Sequence, residues 1–161
     1  MSTQLRGLTF DQFTVGDEFV SPARTVTEAD VVNFACLSGD FNPLHTDEEF
    51  ARETPFGARI AHGMLLASMA TGMAHGMGLF AGTAIAMMEQ SARFVGATKF
   101  GDTVHLELKV IEKKTVSKPD RGIIIFAVKV CNQKGKAVIE GSWTLLLKHD
   151  ERKGGGHETE E

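Results

Sequence analysis

The stretch Asp40-Phe41-Asn42-Pro43-Leu44-His45 sets a carboxylate and an imidazole five positions apart, with a proline between them that limits backbone freedom. A carboxylate accepts a hydrogen bond from water and an imidazole exchanges protons near neutral pH, so the pair can hold and polarise a water molecule. That chemistry favours an enzyme over a plain binding domain. Each residue alone also has a bland reading: Asp40, after a glycine, hydrogen-bonds its own turn, and His45 caps or packs. Asn42 reads as a brace for the same turn.

Further along, His62-Gly63 opens the most apolar stretch of the chain, residues 62–77. The first backbone N–H groups of a helix lack partners within it, and the helix field there favours negative charge, so this entrance suits a developing oxyanion. The plainer reading is that Gly63 lets the helix enter tightly. His75-Gly76, at the far end, reads as a terminal hydrogen-bonding pair. Around His45-Thr46-Asp47 no second histidine or extra carboxylate stands at a diagnostic ligand spacing, which argues against a metal centre. Six methionines between Met64 and Met88 supply a soft apolar lining, suited to a core and equally to an acyl pocket.

These residues need elements to hold them. Thr27-Glu28-Ala29-Asp30 is a capping sequence, and Val31, Phe34 and Ala35 follow at helical spacing up to Gly39, so a helix is expected to lead directly into Asp40. Thr46-Asp47-Glu48-Glu49 repeats the capping pattern ahead of a short helix carrying Phe50 and Ala51, ended by Pro55. Asp40 and His45 are thus expected on a loop between two helices. Residues 62–77 are apolar or small on nearly every face, which predicts a helix enclosed on several sides, with Gly72 costing about 1 kcal/mol relative to alanine. Strand-like patterns follow over residues 83–96, 103–114, 123–132 and 137–148, with Val104, Leu106, Leu108 and Val110 alternating with polar neighbours. Residues 18–26 read as an extended edge because of Pro22. Helices first and strands after imply an α+β fold.

At 161 residues the chain holds one core, expected over 1–148, with 149–161 a disordered tail that has nothing to bury. Its 17 Lys+Arg against 21 Asp+Glu, a net charge of -4, offer no basic field for nucleic acid. Residues 64–77 are too short to span a bilayer and the N-terminus lacks a signal-peptide pattern, so the expected location is cytoplasmic, with no membrane partner. Cys36 and Cys131 form no CxxC pair and fit a reducing compartment; Cys36, among Phe34, Ala35 and Leu37, is expected to be buried.

Two blocks in order, Phe34-Ala35-Cys36-Leu37-Ser38-Gly39-Asp40-Phe41-Asn42-Pro43-Leu44-His45 and Phe56-Gly57-Ala58-Arg59-Ile60-Ala61-His62-Gly63-Met64-Leu65, resemble the MaoC-like dehydratases. Within that family the likeness is to the R-specific enoyl-CoA hydratases, or hydratase 2, and it covers roughly residues 10–147, including Phe100-Gly101-Asp102-Thr103-Val104. The resemblance implies a hot dog fold: a curved antiparallel sheet wrapped around a long central helix, paired edge to edge in a homodimer. It implies that Asp40 and His45 activate the water and that the Gly63 N–H polarises a thioester carbonyl. Asn42, His62, Met64 and Thr71 are then expected to bind substrate; Thr71 stands where some family hydratases carry a serine, about 12 Å from Gly63 along the helix. No cofactor is required beyond the coenzyme A of the substrate, and an acyl-carrier-protein thioester would serve the same chemistry. Other readings stay open: a dehydratase of branched or dicarboxylic hydroxyacyl-CoA, a thioesterase, or a non-catalytic thioester-binding subunit.

Overall fold

Alternation along residues 104–110 builds the centre of the sheet, because every second side chain turns to one face and Val104, Leu106, Leu108 and Val110 are all buried there. In the computed structural model, which describes residues 6–150, this strand is β4 (Thr103–Thr115), and its neighbour β5 (Arg121–Asn132) pairs antiparallel along nearly its whole length. Next come β6 (Ala137–Lys148) and, at one edge, β3 (Ala84–Phe94). On the other edge β1 (Glu18–Val20) and β2 (Arg24–Thr25) both pair with β4, interrupted around Pro22 as that proline requires. The order is β1-β4-β5-β6-β3, all antiparallel, with β3 pairing to β6 alone.

Among the described residues four α-helices lie between β2 and β3: α1 (Glu28–Ser38), α2 (Pro43–Thr46), α3 (Glu48–Arg52) and α4 (Gly63–Gly76). The buried side of α4, Leu65, Leu66, Ala67, Met69, Ala70, Met73 and Ala74, joins β4, β5 and β6 in one core with Phe13, Phe126 and Trp143. Each of the leucines and methionines among them contributes about 1.5–3 kcal/mol on full burial.

The α+β class is as expected, but the sheet is not curled or closed around one long enclosed helix. It is an open sheet with two edges, and α4 lies on one face of it. Met64, Ser68, Thr71, Gly72, His75 and Gly76 form an exposed stripe at helical spacing. These residues are small, neutral or soft rather than charged, so the exposed stripe carries no polar signature in the sequence. Gly72 makes the same point: a Cβ added there would meet nothing within 4 Å, so no sheet closes over that side.

Cys36, expected in the core, is exposed, because α1 buries only Val31 and Ala35. Of the expected tail, His149 and Asp150 are described and pack: His149 Nδ1 and the Asp150 N–H both reach Asp11 Oδ2, at 2.9 and 2.8 Å, and the His149 ring meets Phe10 edge-on. Residues 151–161 lie outside the described part.

Candidate active site

The cap residues of α1 aim Asp40. Thr27 opens the helix, its hydroxyl accepting from the Asp30 N–H at 3.3 Å while Asp30 Oδ2 accepts from the Thr27 N–H at 2.9 Å. At the other end Gly39 adopts φ 76°, a left-handed turn that favours glycine, and donates to the Ala35 carbonyl at 2.8 Å. The chain therefore reverses at once into Asp40, whose N–H donates to Ser38 Oγ at 3.1 Å.

His45 sits within α2, a single turn started by Asn42 and Pro43, rather than on a free loop. Asn42 Oδ1 accepts the Leu44 N–H at 3.0 Å, and Pro43 occupies the first helical position where its missing N–H costs nothing. Asp47, not Thr46, caps α3, accepting the Phe50 N–H at 3.0 Å. Between α3 and α4 the chain is pinned by Arg59, whose guanidinium bonds Glu48 at 2.9 Å and Glu28 at 2.6 Å and covers the Phe100 ring at 4.8 Å. The bonds to Glu48 and Glu28 push the arginine pKa up and tie α1, α3 and the approach to His62 together.

The two histidines meet there. Their rings stack with centroids 3.8 Å apart and planes at 31°, and Phe34 closes on His62 at 5.1 Å. His45 Nδ1 lies 2.7 Å from the Ile60 carbonyl and His62 Nε2 lies 2.9 Å from the Asp40 carbonyl. A carbonyl only accepts, so each of those nitrogens carries a proton, leaving His45 Nε2 as the proton-accepting atom of the neutral ring. His62 is only 2% exposed, and its Nδ1 has no hydrogen-bond partner among the described residues.

A cavity of about 500 Å³ opens at this point, lined by Asp40, His45, His62, Gly63 and Met64 on one side. Phe94, the last residue of β3, and Val95, Gly96 and Thr98 just beyond it line the other. The backbone joins the two sides: the Ala61 N–H donates to the Thr98 carbonyl at 2.8 Å, and Ile60 bridges Lys99. Gly63 is tightly packed, since an added Cβ would lie 2.6 Å from the Phe94 ring. As the first residue of α4 its N–H has no partner within the helix.

Of the residues singled out from the sequence, Asp40, His45, His62, Gly63 and Met64 thus share one cavity. Asn42 does not line it and instead caps α2. Thr71 lies two turns along α4, donating to the Ser68 carbonyl at 2.7 Å, and borders a separate apolar groove with Phe80, Met87 and Trp143. Asp40, His45 and His62 each offer a ligand atom within 4.8 Å of the others, a donor set for a cation that spacing along the chain did not reveal. The two histidines nevertheless each commit one nitrogen to a backbone carbonyl.

The family model for the MaoC like domain matches residues 11–127. The chain belongs to the MaoC-like family. The (R)-specific enoyl-CoA hydratase of Rhodospirillum rubrum is 37% identical over 128 residues, covering 79% of this chain and 83% of that protein. Protein MaoC of Klebsiella aerogenes is 36% identical over 143 residues, which are 89% of this chain but 39% of that longer protein. Among solved structures, the unliganded R-hydratase of Pseudomonas aeruginosa superposes with a TM-score of 0.75 at 32% identity, covering 89% of this chain and 88% of that one.

Two parts of this MaoC-like site carried no signal in the sequence. Thr98 is buried against the cavity with a hydroxyl that has no partner among the described residues, and nothing in its surroundings marks it. The Ile60 carbonyl, which fixes the His45 tautomer, is a backbone group and has no residue signature.

Proposed function

We propose that this MaoC-like chain is an R-specific 2-enoyl-CoA hydratase, a hydro-lyase that adds water reversibly across the double bond of a trans-2-enoyl thioester. The observation that carries the reading is the convergence of Asp40, His45 and the Gly63 N–H on one cavity, together with the relatives it matches. Asp40 Oδ and His45 Nε2 hold the water between them. As its oxygen bonds to Cβ, the electron pair of the Cα–Cβ double bond moves toward the thioester carbonyl. The Gly63 N–H and the positive end of α4 stabilise the enolate oxygen that forms. The proton released from water then reaches Cα on the same face, and the (R)-3-hydroxyacyl thioester results. Thr98 and Met64 border the space for the acyl group.

The chain is expected to act as a homodimer. Support comes from β3, whose outer edge is unpaired among the described residues and which exposes Ile85, Met87, Met88 and Phe94, a combination that invites pairing with a second copy.

Loss of enoyl-thioester absorbance on adding crotonyl-CoA and longer analogues, with chiral analysis of the product, tests the reaction. Formation of the (R)-3-hydroxyacyl thioester is expected. No turnover at any chain length, with acyl-carrier-protein thioesters tried alongside, overturns it, and release of free coenzyme A would point to a thioesterase instead.

A further inference from the structure

The face of the sheet turned away from α4 carries a second set of ligating side chains. In β4, Val104, Leu106 and Leu108 point into the core, so His105 and Glu107 project from the opposite face. Cys131 of β5 stands directly across from His105 in the antiparallel register. The register of β5 on β6 shifts between Val130 and Cys131, where Val138 is the extra residue of β6, and Val130 and Cys131 are both buried. Residues directly opposite in an antiparallel pair share a face, so the Cys131 side chain lies on the same side as His105 and Glu107.

We propose that His105, Glu107 and Cys131 form a binding site for a borderline-soft divalent transition ion, of which zinc is the type. Each residue offers one ligand atom, and these three atoms lie within 4.8 Å of one another. His105 Nε2 and Glu107 Oε1 are 3.1 Å apart. With bonds of about 2.0–2.1 Å to nitrogen, 2.0–2.2 Å to oxygen and 2.3 Å to sulfur, tetrahedral ligands stand about 3.4–3.6 Å apart. The 3.1 Å separation and the 4.8 Å limit bracket that spacing, and water supplies the fourth ligand.

The donor chemistry is also selective. One thiolate, one imidazole and one carboxylate match zinc or cobalt and fit magnesium or calcium poorly, since those hard ions take oxygen ligands. Cys131 is 4% exposed, whereas His105 and Glu107 keep side-chain exposures of 24% and 42%, so an ion enters from the wet side onto a sheltered sulfur. Burial, then the Glu107 carboxylate, push the thiol pKa up, so without a cation the sulfur holds its proton; a bound ion takes that proton's place. Lys129 stands in register with Glu107 on one side and Glu140 on the other. The site is separate from the Asp40 cavity, none of whose lining residues belongs to β4 or β5.

Cobalt(II) titrated into the reduced full-length chain is the direct probe, because thiolate-to-cobalt charge transfer gives a near-ultraviolet band that only a bound cysteine produces. The band is expected with a single ion per chain, displaced by zinc, unchanged in Cys36→Ser and in His45→Gln, and abolished in Cys131→Ser. His105→Gln and Glu107→Gln, both on the exposed face, should weaken it by more than about tenfold while leaving enoyl-thioester hydration unchanged. Zinc should also raise the melting temperature of the wild type and not of Cys131→Ser. No band at excess cobalt, a band that survives Cys131→Ser, or one lost in Cys36→Ser overturns the proposal.

Discussion

The two ends of α4 differ in what surrounds them. At its start Gly63 is pressed against Phe94, His62 is buried under His45 and Phe34, and the approach is held by Arg59. Two turns later Gly72 faces open space and its neighbours Thr71 and His75 are exposed. A glycine at the first position reflects contact, whereas a glycine at the second reflects its absence. Rigidity is concentrated where a water and an enolate would have to be positioned, and the rest of the exposed stripe is left free of that constraint.

The largest expected effect tests whether the packed end does the chemistry. His45→Gln keeps the shape of the side chain but removes the proton-accepting nitrogen, and should lower kcat about 10²–10⁴-fold with an unchanged melting curve. Measured with crotonyl-CoA, a loss smaller than tenfold would mean that the packed end of α4 has a structural role only.

Next come the two glycines, whose substitutions should have opposite signs. Gly63→Ala forces the Phe94 ring aside and should destabilise by about 1–3 kcal/mol, with a higher KM, while Phe94→Ala in the same chain recovers stability. Gly72→Ala should stabilise by up to about 1 kcal/mol, since alanine suits a helix interior and meets no neighbour. Chemical denaturation of the three variants reads both values, and two changes of the same sign would erase the contrast between the ends.

The smallest effect concerns the helix that aims Asp40. Burial pushes the Asp30 carboxyl up, but its bonds from Thr27 and the charge of Arg24 outweigh this and hold it below its usual 3.8. A folded-state pKa below the unfolded one stabilises the fold above pH 3.8 and ceases to do so as pH falls through the lowered value. Asp30→Asn should therefore cost about 1 kcal/mol at neutral pH, and the gap to wild type should close in acid. A gap independent of pH would show that the carboxylate charge is not what caps α1.

Much of this contrast could be read from the chain. The capping residues Thr27 and Asp30 and the turn at Gly39 announced how Asp40 is delivered, and alternation over residues 104–110 revealed β4 because polar and apolar positions differ sharply there. The wrapped helix was misread for a physical reason: Ser68, Thr71 and Gly72 are exposed yet too small and neutral to stand out from Ala67 and Ala70, which are buried. The stacking of His45 on His62 had no local signal, since the residues are 17 positions apart and meet only because Arg59 and the Ile60–Lys99 bridge fold the intervening chain back. His105, Glu107 and Cys131 were hidden differently, as two members are local to β4 and the third arrives only through strand register.

The packing of His149 and Asp150 on Asp11 has a practical consequence for how the chain can be rearranged. Phe10 lies against Gly122, which pairs with Leu147, whereas the cavity reaches β6 at Val138, nine residues or about 30 Å away. Both described termini therefore gather at the end of the sheet remote from the cavity. A linker joining residues 6 and 150, with new ends cut at the Asn132–Gly135 turn, should yield a circular permutant that still folds, and a fusion partner or surface tether attached beyond residue 6 or residue 150 would start at the end of the sheet remote from the cavity.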